Sequence, residues 1–175
     1  MPSLVLGPML RYVGEQTAVV WVETDRPCEV GVLSATAPTF HVEGHHYALV
    51  RIAGLEPGTP HEYEVMLDGE RAWPPEDSEY PPSVIRTYPR DGELRVAFGS
   101  CRLTVPHEPP YSLPRDEDER ARETDALYAL AARMRSEPND RWPQLLLMLG
   151  DQVYADEVSP ETARYIERTR DTDQP

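Results

Sequence analysis

Lysine is absent from this 175-residue chain: all 17 of its cationic side chains are arginine, against 31 aspartates and glutamates. The formal charge of −14 is spread over both halves, and no basic run carries interleaved aromatics. That excludes a nucleic-acid partner, which needs a cationic footprint for the phosphates. The missing lysine itself reads as coding bias. Cysteine is almost absent too. Cys28 and Cys101 stand far apart, which excludes a disulfide framework. No apolar run approaches the roughly 20 residues of a membrane span, and the first residues have no basic segment ahead of an apolar one. No membrane partner and a cytoplasmic location are therefore expected. No Gly-Lys-Ser/Thr is present, which excludes a phosphate-loop nucleotidase. With 39% apolar residues, the chain can bury one large core or two small ones.

The first half has little helical periodicity. From residue 4 to about 88 it reads as short strands separated by turn residues: 17–24, 28–33, 39–43, 47–52, 63–67, 70–73 and 83–88. Asp68-Gly69 is a strong hairpin signal. Residues 73–82, rich in proline, read as a long loop. Strands at this spacing predict an antiparallel β-sandwich over residues 1–91. Cys28 falls in a β-rich run and is expected as a small core residue. His45-His46 beside Gly44 reads as a loop pair with one ring half-buried, because no cysteine or carboxylate stands at zinc-ligand spacing.

The organisation changes after Pro89-Arg-Asp-Gly92. Residues 94–98 predict a strand ended by Gly99-Ser-Cys-Arg102. A proline-rich passage at 105–114 cannot be regular. A helix is predicted over 116–135, with Asp116–Glu119 at its positive end and Leu127, Leu130, Ala131 and Met134 as its buried stripe. The apolar run 145–149 predicts a strand buried on both faces. Gly150 ends that run, and Asp151, Tyr154 and Asp156 follow it. Ser159-Pro160 begins a last helix reaching about residue 170. Strand, helix, strand makes a right-handed βαβ unit with parallel strands. Cys101 and Asp151 each lie just past a strand end, so they should meet at one sheet edge, where open α/β sheets bind ligands. Carboxylate, phenolate and thiolate are all anionic and together suit ferric iron, whereas thiolate alone would also suit zinc. Two parallel strands and two helices cannot cover both faces of a sheet, so residues 92–175 are expected to be the start of a larger domain.

Two resemblances sharpen these expectations. Leu55-Glu-Pro-Gly-Thr-Pro-His-Glu-Tyr-Glu-Val65 resembles the corner of fibronectin type III domains, with His61 standing where that family carries its corner tyrosine. Phe98-Gly-Ser-Cys-Arg102 and Leu149-Gly-Asp-Gln-Val-Tyr-Ala-Asp156, behind such a domain, resemble the PhoD-like alkaline phosphatase D family of calcineurin-like metallophosphatases. The resemblance implies a mixed fold, a fibronectin type III-like β-sandwich followed by the start of an α/β metallophosphatase domain. It implies Fe3+ and Ca2+, with other divalent metals possible, and hydrolysis of phosphate mono- or diesters by metal-activated hydroxide. Asp151 would bridge the ions, and Tyr154 and Cys101 would bind iron. Asp156 would be a calcium ligand or a group behind the ligands, with a solvated turn residue as the plain alternative. Arg102 could contact substrate phosphate through its forked guanidinium, or be a plain surface arginine. The family's Asn-His pair and later histidine motif are absent, and no histidine follows His107. The resemblance is therefore to the family's N-terminal portion, and the chain alone is expected to be nearly inactive.

Two readings compete with this one. A cysteine phosphatase built on Cys101 needs an arginine six residues on, where His107 stands. A non-catalytic β-sandwich binding module with a vestigial second domain is the alternative of a different class.

Overall fold

The computed structural model describes residues 1–152 and 160–169. The chain divides into two compact units, Met1–Leu94 and a second from Arg95 onward. The division falls three residues beyond the boundary expected at 91.

The first unit is all β. Its strands are β1 (Leu4–Val13), β2 (Thr17–Thr24), β3 (Glu29–Val32), β4 (Ala35–Pro38), β5 (Phe40–Val42), β6 (His45–Ala53), β7 (Pro60–Glu62), β8 (Val65–Leu67), β9 (Glu70–Trp73) and β10 (Val84–Arg86). Two four-stranded antiparallel sheets, ordered β1–β2–β6–β5 and β4–β3–β8–β9, contribute to one core. Val20 and Val22 of β2, Ala48, Val50 and Ile52 of β6, Val30 and Val32 of β3, and Val65 and Leu67 of β8 are buried together. The unit is thus sandwich-like: alternate residues of β2, β3, β6 and β8 turn inward, as a pleat with period two requires. Ile85 of β10, in a short separate pairing with β7, completes the core.

Turn chemistry sets the hairpins. Asp68 and Gly69 both have positive φ, the backbone of a tight two-residue turn between β8 and β9. Glu43 and Gly44 do the same between β5 and β6. That second turn carries His45 and His46 into the first positions of β6, so they belong to a strand and not to a loop; His46 is half-buried. Two further differences from the sequence-based expectation have local causes. Strand β4 follows a turn through Leu33, whose φ of 53° is unusual for a leucine and which no turn signal announces. The strand expected over 63–67 is shortened to β8, and β7, just ahead of it, was not expected; β7 pairs with β10 while β8 pairs with β3.

The second unit contains a parallel pair, β11 (Val96–Gly99) and β12 (Leu145–Met148), in register from Val96↔Leu145 to Gly99↔Met148. Its helices are α1 (Ala126–Ser136) and α2 (Pro160–Thr169). Helix α1 begins ten residues later than expected. One carboxylate meant for its first turn, Asp118, instead accepts from the Arg120 amide and guanidinium, while backbone turns close from Glu117 N to Pro114 O and from Ala121 N to Asp118 O. Acids that satisfy nearby backbone compete with the helix. The true cap is Asp125, whose carboxylate accepts from the Leu127 amide at 2.9 Å. The stripe Leu127, Leu130, Ala131 and Met134 is the half-buried side of α1, which has no fully buried residue. Strand β12 is not buried on both faces. Leu146, Leu147 and Met148 are exposed and Phe98 is 73% exposed, because among the described residues the sheet has two strands only. No helix of the described residues is long and apolar enough to cross a membrane.

Candidate metal centre at a parallel strand edge

Parallel pairing puts the carboxyl ends of β11 and β12 side by side, and the backbone ladder continues past both. The Leu149 amide donates to Gly99 O at 2.8 Å, and the Cys101 amide to Gly150 O at 3.2 Å. These bonds hold together two residues that are 50 positions apart: Cys101 Sγ lies 3.5 Å from Asp151 Oδ2, and both side chains are exposed. Each residue has positive φ, 54° at Cys101 and 31° at Asp151. Non-glycine residues adopt that region rarely, and when they do the surroundings must hold them there.

The separation suits two donors on one ion. Sulfur at about 2.3 Å and oxygen at about 2.1 Å from a metal, at a tetrahedral angle, stand about 3.6 Å apart. Thiolate and carboxylate also supply the negative charge that a hard or borderline cation needs. Among the described residues no group of three His, Cys, Asp or Glu side chains forms a ready metal cage. Tyr154 and Asp156, the other sequence-based candidates, lie outside the described residues.

Two neighbours of this pair were not singled out from the sequence. Ser100 Oγ lies 3.3 Å from Cys101 Sγ. It also sits where a side chain at position 150 would go: a Cβ on Gly150 would fall 2.9 Å from it. A side chain at position 150 would therefore displace the Ser100 hydroxyl from beside Cys101. The second neighbour is Asp125. Arg102 meets it through two bonds, Nε to Oδ1 at 2.9 Å and Nη2 to Oδ2 at 2.6 Å. Asp125 is only 3% exposed, and the Arg102 guanidinium beside it holds its carboxyl below the usual carboxylate range. Two nitrogens of the fork proposed for substrate phosphate thus face a buried carboxylate. Asp125 could have been found: an aspartate immediately before the apolar-periodic stretch 127–134 is a helix-start signal.

The corner of the first unit is also settled by its bonds. His61 Nε2 lies 3.3 Å from Glu56 O, five residues upstream, so the imidazole makes the kind of backbone bond that a corner tyrosine makes. Tyr63 is buried, which pushes its phenol pKa up, and Cys28 is half-buried against the core with its thiol raised for the same reason.

Residues 1–85 match a protein family described as a domain of unknown function, DUF7800. The match covers the strands of the first unit and ends within β10, before Cys101. No curated protein and no solved structure matches the chain.

Proposed function

We propose that the second unit carries the beginning of a PhoD-like metallophosphoesterase centre, acting on phosphate mono- or diesters, behind a fibronectin type III-like sandwich. The observation that carries this reading is the 3.5 Å approach of Cys101 Sγ and Asp151 Oδ2 at one parallel strand edge. Cys101 and Asp151 would hold the first ion through thiolate and carboxylate, and Tyr154 and Asp156 would add donors from the following residues. Ions such as Fe3+ and Ca2+, when bound, supply an activated water and neutralise phosphate charge. The protein's own part is to fix its donors before any ion arrives, which the ladder bonds around Gly150 and the strained backbone at both residues support.

The test is metal uptake by the intact chain. Fe3+ should bind and give a visible charge-transfer band; Tyr154→Phe should remove that band, and Cys101→Ser with Asp151→Asn should abolish uptake. Inorganic phosphate should shift the band. A chain that takes up no iron, or a double variant that binds as the parent does, would overturn the reading.

One observation favours the second reading, a sandwich that is itself a binding module. The outer face of the β1–β2–β6–β5 sheet is aromatic where water-facing strands are usually polar. Tyr47 stacks on Trp21 and His45 and meets Phe40, while Phe40, Leu49 and Met9 stay exposed. Metal analysis separates the two, since a binding module alone holds no ion at Cys101.

A further inference from the structure

We infer that Asp125 is a positioning residue for the Cys101 donor, acting through Arg102, and that Arg102 serves this clamp in place of contacting substrate. The inference rests on Cys101 being a ligand in the centre just proposed. One carboxylate does two things here. Its Oδ1 accepts the Leu127 amide and so caps α1, while Oδ1 and Oδ2 together take the Arg102 fork. The start of a helix is thereby tied to the residue immediately after Cys101.

Cys101 is then held on both sides. Before it, the ladder bonds to Gly150 O and Gly99 O fix the backbone to β12. After it, Arg102 is anchored to a side chain 23 positions away. A cysteine at φ 54° keeps that conformation only while its flanks are held.

Capping alone does not account for the arrangement. A helix cap needs one acceptor, and asparagine or serine supplies it as well as aspartate does. What asparagine cannot supply is two anionic oxygens for a guanidinium fork. A buried carboxylate is also costly unless paired, so the pair is a commitment of both side chains. His107, which leaves the same strand end in the proline-rich loop, is engaged elsewhere: its ring stacks on Tyr128 of α1 at 3.6 Å.

Asp125→Asn separates the two roles because it keeps the cap and loses the fork. Four proteins are compared: the parent chain, Asp125→Asn, Arg102→Gln and the double variant, the last leaving neither charge of the pair buried alone. Helix content and melting are followed beside Co2+ affinity and the site-resolved rate of iodoacetamide alkylation at Cys101 in metal-free protein, with Cys28 as internal control. Expected are near-parent helix content and a loss of Co2+ affinity of about 10–100-fold in each variant. The alkylation rate should change several-fold at Cys101 and not at Cys28, and the double variant should be no worse than either single one. Parent-like affinity and alkylation in both variants would overturn the inference. If the parent chain itself binds no metal, the phosphoesterase reading fails, and the alkylation comparison alone decides whether Asp125 positions Cys101.

Discussion

Thr87 carries more structure than its size suggests. It is fully buried, its hydroxyl donates to Glu56 O at 2.6 Å, and the same oxygen accepts from the Thr59 amide at 3.1 Å. Valine has the same shape without the oxygen, so Thr87→Val would leave the Thr59 amide unpaired. That should cost about 1–3 kcal/mol, read as a lower urea midpoint of the first unit with an unchanged slope. This bond set was not legible in the sequence, although the turn it stabilises was: Leu55, Pro57, Gly58 and Thr59 announced the corner, but nothing said which downstream hydroxyl would close it. The same contrast holds at the candidate centre. Cys101 and Asp151 could be placed together because parallel strands end on one edge, a rule that needs only element types. The partner of Arg102 could not be named, because with 31 acidic residues in the chain only folded geometry chooses Asp125.

Elements differ sharply in how much they bury. Strand β10 has three residues, yet its Ile85 is fully enclosed by the sandwich core. Ile85→Ala should therefore lower the stability of the first unit by about 2–5 kcal/mol. Phe98→Ala, in an exposed position of β11, should leave that unit's denaturation midpoint where it was. Equal losses from the two substitutions would show that the units do not unfold separately. Strand positions were readable wherever turn residues bracketed them, as at Asp68-Gly69. They were obscured where leucine took a left-handed turn, as before β4. The apolar run 145–149 was legible as a strand but not in its surroundings, because continuous hydrophobicity reports what a strand could bury, not how many strands are present to bury it. The start of α1 was misplaced for an electrostatic reason: an acidic block favours a helix N-terminus, but Asp118 found a nearer donor in the Arg120 amide.

At the scale of the molecule, the sandwich draws every one of its strands from the first 94 residues, whereas the parallel pair joins segments far apart in the chain. Arg95 and Gln144, bonded at the start of that pair, are 49 positions apart. Proteins are synthesised from the N-terminus at about 5–20 residues per second, so β11 waits roughly 2.5–10 s for its partner. The sandwich can close in that interval; β11 cannot, and its unpaired edge is open to mispairing. Ribosome-bound chains arrested before Gln144 leaves the exit tunnel should show hydrogen-exchange protection in β2 and β6 and none at residues 96–99, with protection there appearing once residue 148 is out. Protection of β11 in the shorter chain would contradict this. The order of synthesis thus sets an order of appearance: the Cys101 thiol is made 50 residues before the Asp151 carboxylate that lies beside it in the folded chain.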